Sequence, residues 1–586
     1  MPGPFLFRFR PHFRRMRSAD WFVATAYFVL VVGLGTKLGG HQKDARDYFL
    51  GHRDLPWWAI LISVVATETS ALTVISIPGI GARGDLTFLQ LAFGYTLGRI
   101  VVAWLILPGY FRGEITTAYE VLGTRWGNGV RRTASAVFLG TRALATCVRL
   151  FAGAIPLAVI TGWSYPAAIL AVGTATVVYT YVGGLRAVVW MDVLQWSIYI
   201  LAGLAALAVA LHLAPGGLAE ASAAGKLRVI DPAFSLTRPH ALGTAIVGGA
   251  FLSAASHGTD HLIVQRLLAT RSLSDARAAL VGSGFVVMAE FALFLLVGVA
   301  IWAADPASRS AAGDAVFPTF AATHLPTGLG GLVVAGILAA AMGSTASALN
   351  SLASATTHDY YAPITGRAPD DPGLLRAGRL FTLLWAALLM GGALLFRRRE
   401  APVVVIALSI ASLTYGALLG TFILARVRRV QGPHVVAAIV GSTVLMALVV
   451  FAGPLRDVIA PMSGWGPYGD GAALANLALR ALGQIGNALE PLAKLAWPWY
   501  VPLGTLLTVG VGLLTSVLHV RRGSRDERVH RGGCRRVPDD RRRGGRDGRR
   551  AGTRRAGTGE RARGERTGGS RRDRGGMPRR APARAP

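Results

Sequence analysis

Residues Leu55 to Gly79 read LPWWAILISVVATETSALTVISIPG. Apolar residues fill the first and last thirds, and the whole is long enough to cross a bilayer as a helix. The middle, Ala66-Thr67-Glu68-Thr69-Ser70, is polar and places a carboxylate near the bilayer midplane. An ionisable side chain there is costly in lipid, so Glu68 is expected to face a protein interior or a water-filled cavity. Two readings of the stretch follow. Either the helix unwinds at this point and frees carbonyls that hold a cation, or it runs unbroken and its hydroxyls bond back to their own helix.

The rest of the chain supports a membrane setting. Of its 586 residues, 52% are hydrophobic and 16% charged, where a soluble protein carries roughly a quarter charged residues. Mean hydropathy is +0.45. Thirteen apolar runs read as spans: 20–38, 55–80, 86–109, 133–162, 165–182, 187–212, 241–258, 279–303, 329–352, 379–396, 402–424, 433–452 and 498–520. Their connections are short, so residues 20–520 form one all-α polytopic membrane domain. Stretches such as GGLVVAGILAAAMGS (330–344) are rich in small residues that let membrane helices approach closely.

Charge assigns the sides. With the 39–54 loop cytoplasmic, 111–132, 183–186, 265–277, 353–379 and 425–429 fall on the same side, and nearly all are basic. The sparser 213–240, 304–328 and 453–496 loops face out. The N-terminal Arg cluster (segment 1–19) and Arg397–Arg399 run against this rule. An outward N-terminus and a cytoplasmic C-terminus in a cell (inner) membrane are the expectation, and no cleavable signal peptide is expected. Two cysteines, Cys147 and Cys534, give no disulfide framework. The net charge of +30 is concentrated at the end: residues 521–586 hold 24 Arg against 8 acids. That Arg/Gly-rich tail lacks the apolar residues needed to fold. Its charge is not read as a nucleic-acid signal for the membrane body, and the sequence shows no obligate protein partner.

Four motifs together carry a resemblance. They are DYFLGHRDLPWW (47–58) with ATETSALTVISIPG (66–79), YTYVGGLRAVVWMDVLQ (179–195), GTDHLIVQRLLA (258–269) and AGILAAAMGSTASALNSLASATTHDYY (335–361). In this order they resemble the sodium:solute symporters, the family of bacterial proline, sialic-acid and sugar symporters. The resemblance implies a LeuT-like core of two inverted five-helix repeats, the first helix of each broken at the substrate site. It also implies a sodium site. Matching Pro78-Gly79 places two carbonyl ligands at Ala66 and Thr69; matching Ala348–Ser351 places a further carbonyl at Ala340 and hydroxyls at positions 343 and 344. Ser344 fits, whereas Gly343 replaces the family's usual hydroxyl, so either a water, Thr345 or a neighbouring group supplies that oxygen, or sodium binding is weakened.

Glu68 falls where proline symporters carry an Asp. It is read as direct or outer support for the cation, with proton carriage as the alternative. Asp192 with Ser347 matches a second sodium site of some members; pairing of Asp192 with Arg186 is the competing reading. Arg142 and Arg149, seven residues apart on one helix face, call for an anion, either a protein acid or a substrate carboxylate gripped bidentately. His257, Asp260 and His261 read as a hydrogen-bond or gating cluster rather than a zinc site, and Trp57-Trp58 as an interfacial anchor. No phosphate-binding loop is present, which argues against ATP drive.

The expectation is therefore a transporter and not an enzyme. It would take up a small polar solute, a carboxylate or amino acid, with sodium as the coupling ion, by alternating access. Ala66, Thr69, Ala340, Gly343 and Ser344 would serve the ion, and Glu68, Ser70, Thr73 and Arg149 the solute. A proton-coupled symporter of the same fold, and a transporter-like membrane sensor, are the alternatives.

Overall fold

The computed structural model describes residues 18–39, 42–395, 403–462 and most of 484–533. The basic segment up to residue 17, Arg397–Arg399, and the tail from 534 lie outside the described residues. The helices that matter here are α1 (Ser18–Leu38), α2 (Trp57–Glu68), α3 (Ala71–Arg83), α4 (Leu89–Leu105), α5 (Asn128–Thr161), α6 (Tyr165–Leu213), α7 (Leu242–Gly258), α8 (His261–Leu268), α9 (Leu273–Ala304), α10 (Leu329–Ala355), α11 (Pro372–Leu395), α12 (Val403–Leu424), α13 (Gly432–Met462) and α14 (Tyr500–Gly533). The last runs beyond position 520, where the sequence sets the start of the tail. Among the described residues the only β pairing is an isolated bridge between Leu55 and Thr270.

Among the described residues eight helices are long and apolar enough to cross a membrane, and α2 with α3, bent by 70°, pass the same test together as a ninth. Helix α6 has 49 residues, about 74 Å of helix against a hydrocarbon core of roughly 30 Å. It therefore makes two spans, and it turns where the sequence expects. Gly184 leaves helical geometry at φ 57°, and a side chain there would meet the Tyr48 carbonyl oxygen at 2.6 Å. The shorter α4, α7 and α12 stand at the three remaining apolar runs, so each expected run is helical.

Helix α10 is the buried axis. In its membrane window 94% of residues are covered, and it packs on both halves of α6, on α5 and on α1–α3. Its small residues permit this, since Ala, Gly and Ser let neighbouring backbones close in. Outward-facing apolar side chains such as Phe22, Trp104, Leu201, Phe285, Leu388 and Leu506 stay exposed, as a lipid-facing surface requires. Trp57 and Trp58 at the start of α2 are also half exposed, consistent with an interfacial position.

Candidate functional site

The first break begins where α2 ends at Glu68. Thr69 (φ −72°, ψ 122°) and Ser70 (φ −117°, ψ 170°) are extended, and α3 starts at Ala71. Thr73 Oγ1 accepts the Ser70 N–H at 3.3 Å, capping the new helix. The Thr69 N–H still reaches Val65 O at 2.9 Å. Among the described residues no donor reaches the carbonyls of Ala66, Thr67, Glu68 or Thr69. Unbonded helix-end carbonyls buried in a protein interior require a partner, and a cation is one that carbonyls hold well.

Helix α10 faces this break. Thr67 Oγ1 lies 3.1 Å from Ser347 Oγ. A side chain on Gly153 of α5 would touch Cβ of Ala341 at 2.5 Å and Cβ of Ala71 at 3.6 Å, so α3, α5 and α10 meet there. Ser344 Oγ donates to Ala340 O at 2.9 Å and Ala341 O at 3.2 Å, and its lone pairs remain free to accept or to ligate. Thr345 turns to Ala341 O at 2.7 Å. All of these residues, with Ala66 and Thr69, are buried.

Position 343 needs glycine for a visible reason. A Cβ there would lie 2.7 Å from Gln195 Oε1 and 3.3 Å from Asp192 Oδ1. Both oxygens are buried and have no hydrogen-bond partner.

Charges in the helical body are paired with one another, mostly across long sequence separations. Glu68 does not turn to α10; its carboxylate is bonded by Arg99 of α4, which also donates to Ser283 at 2.7 Å, while His257 Nε2 stands 3.6 Å away. Arg142 is bonded to Asp260 and donates to the Tyr415 hydroxyl at 2.9 Å. Asp192 pairs with Arg266 at 3.3 Å and accepts from Ser63 at 2.6 Å. Arg266 is also bonded to Ser347, so a guanidinium lies between the two residues matched to a second ion site. Arg186 instead faces Asp54, at 3.5 Å. Arg131 holds Asp359 at 2.7 Å.

Glu290 and Arg149 lack a counter-charge among the described residues. Glu290 of α9 is buried and accepts from Thr69 Oγ1, from Trp196 Nε1 at 3.2 Å and from the Tyr199 hydroxyl at 3.4 Å, all neutral donors. Among the described residues Arg149 of α5 makes no hydrogen bond or ion pair; it lines a small cleft with Arg142, Phe138, Asp260 and Tyr415. His257, Asp260 and His261 do not share one helix. The chain breaks at Thr259–Asp260 between α7 and α8, and the three point to Glu68, Arg142 and Ser354 respectively.

Sequence reasoning missed Gln195, Arg266 and Glu290, and found nothing to single out Arg99, which could also have held an anion. Arg99, Arg266 and Glu290 carried a signal, a charge within an apolar run; their partners were not readable.

Comparison with known proteins agrees with this geometry. The profile of the Sodium:solute symporter family matches residues 48–426. The chain is 27% identical to a putative sodium-dependent multivitamin transporter of Drosophila melanogaster over 85% of this chain and 86% of that one. It is 29% identical to sodium-coupled monocarboxylate transporter 1 of Xenopus laevis, covering 66% and 63%, and 26% identical to the sodium/sialic acid symporter NanT of Aliivibrio fischeri, covering 72% and 86%. A solved sodium-coupled sialic acid symporter, substrate-bound and outward-open, superposes with a TM-score of 0.70 at 23% identity, covering 85% of this chain and 98% of that one. A broken second span with free carbonyls, helices at each expected apolar run and a profile match over most of the chain place this protein in the sodium:solute symporter family.

Proposed function

We propose that the protein imports a small organic carboxylate together with sodium, with Arg149 as the group that receives the carboxylate. The observation that carries this reading is the unpaired Arg149 guanidinium at an interior cleft, where every other arginine named in the helical body has an acid. A guanidinium left without a protein anion in a low-dielectric site is satisfied by a ligand anion, and it grips a carboxylate with two hydrogen bonds. Relatives named for monocarboxylates and sialic acid are consistent with that chemistry.

For sodium, the free carbonyls of Ala66 and Thr69 and, across from them, the Ala340 carbonyl and Ser344 hydroxyl form the holding set, because hard cations take such oxygens. Bound sodium would neutralise the carbonyl dipoles that the break exposes. Ser70 and Thr73 keep the entry to α3 ordered, and Glu68 acts from the α4 side as the partner of Arg99. We assign no ion to the Asp192–Ser347 pair, since Arg266 already supplies a positive charge there. By the charge of its loops, the protein sits in the cell membrane with its N-terminus outside.

The test is thermal stabilisation of the full chain in detergent, first with sodium against potassium, then with carboxylates, amino acids and sugars. A sodium-specific shift that carboxylates enlarge, with the enlargement lost in Arg149→Gln, is the expected result. Enlargement by sugars, with carboxylates silent, would sink the substrate assignment.

A further inference from the structure

The oxygens assigned to sodium at the first break are three carbonyls and a hydroxyl, all neutral. An ion seated there brings a full positive charge into a buried site, and a buried charge is costly unless an opposite charge stands near. The acids around the two breaks differ in what they have left to give. Glu68 is bonded by Arg99, Asp192 by Arg266 and Asp260 by Arg142. Buried Glu290 accepts only from neutral groups: the Thr69 hydroxyl, Trp196 Nε1 and the Tyr199 hydroxyl.

Its contacts tie it to both halves of the ion set. Thr69 leaves its carbonyl free at the break and turns its hydroxyl to Glu290 Oε1, so a single residue separates the carboxylate from an ion ligand. Tyr199, which donates to Oε2, lies against α10: a Cβ added at Gly336 would meet its Cα at 3.1 Å and its Cβ at 3.2 Å. Gly336 is four residues before Ala340, about one helical turn. Helix α9 itself packs on α2, α3, α4 and α6. Glu290 does not line the cleft at Arg149, so its charge is directed at the break rather than at that cleft.

We propose that Glu290 is the counter-charge of the coupling ion: its carboxylate does not ligate sodium but balances it from the far side of Thr69. Three hydrogen bonds from neutral donors lower the cost of holding the carboxylate in the interior without cancelling its charge. The field that remains acts where the dielectric is low, and charges a few ångströms apart interact there far more strongly than in water. The loaded protein then holds two matched pairs, sodium with Glu290 and a solute carboxylate with Arg149. This deepens the sodium-site assignment made above and rests on it.

The experiment measures radioactive sodium binding to the purified full-chain protein, with thermal unfolding to show that each variant is folded. Glu290→Gln, which keeps the size and removes the charge, weakens sodium binding by about tenfold or more. Glu290→Asp keeps the charge and holds affinity to within a few-fold of wild type. Trp196→Phe takes one donor from the carboxylate but leaves its charge, and also stays within a few-fold; a loss as large as that of Glu290→Gln would assign the effect to the hydrogen-bond cluster and overturn the proposal. A second measurement needs no variant and covers the case in which Glu290→Gln fails to fold. Because the protein supplies the negative charge, wild-type sodium affinity is the same with chloride or a bulky sulfonate as the anion, and no solute is needed. Sodium binding that collapses without chloride, or that requires an added carboxylate, overturns the proposal, as does unchanged affinity in Glu290→Gln beside weakened binding in Ser344→Ala. Unchanged affinity in Ser344→Ala instead overturns the sodium-site assignment, and the proposal with it.

Discussion

At Thr69–Ser70 the chain leaves a helix with four carbonyls unbonded, whereas at Thr259–Asp260, the matching point of the second repeat, the protein bonds much of the exposed backbone itself. Asp260 Oδ1 accepts the Leu262 N–H at 2.9 Å, and its carbonyl accepts from Ile263 and Val264 at 3.1 Å. Tyr110 donates to Gly258 O at 2.6 Å, and Thr259 Oγ1 to Ala255 O at 2.8 Å. Arg142 and Tyr415 then neutralise the Asp260 charge. The lesson is that an interrupted membrane helix marks a binding site only where its polar groups are left for a ligand. The first break is open to one, and the second is a latch.

The largest effect should come from opening the latch. Arg142→Met leaves Asp260 buried without its cation and should cost about 3–5 kcal/mol of stability, read by thermal unfolding. A loss under about 1 kcal/mol would show that the second break does not depend on the pair. Ser344→Ala, at the open break, should leave stability near wild type and weaken sodium binding by about tenfold; a stability loss with unchanged sodium affinity would make the two breaks alike. Glu68→Gln separates the two sides of the first break. Its carboxylate faces Arg99 rather than α10, so sodium affinity should move by less than about threefold, measured by binding.

The smallest effect lies outside the membrane, where the turn after α3 meets the 213–240 connection. Asp85 loses some hydration there, which favours its neutral form, but bonds from Thr87 and Arg228 outweigh this and hold its carboxyl below the ordinary value of 3.8. A depressed carboxylate adds stability at neutral pH that is lost as pH falls through its folded-state value. Asp85→Asn should therefore lower thermal stability slightly at pH 7 and hardly at all in strong acid. An equal deficit at both would point to lost packing instead.

The break, the apolar helices and the α10 segment were legible because each is written locally, in a run of apolar residues, a polar interruption or a glycine turn. Gly183–Gly184 could be read as the α6 turn from sequence alone. The charge pairs could not. Glu68 meets Arg99, Asp192 meets Arg266 and Arg142 meets Asp260 across helices whose relative rotation no local pattern specifies. Thus the competing reading that paired Asp192 with Arg186 gives way to Arg266, and Arg186 faces Asp54 instead, because the partner of Asp192 sits on a distant segment. Gly343 was legible as an anomaly but not as an accommodation, since Gln195 lies in the second span of α6 and nothing near 343 announces it.

Arg266 has a thermodynamic consequence. Its guanidinium is tied to the chain, so it travels with the carrier and is never released into the cell. A free ion in that place would draw on the transmembrane gradient at every turnover, with the voltage acting on its charge at roughly 2.3 kcal/mol per 100 mV. A tethered cation balances Asp192 without drawing on any gradient.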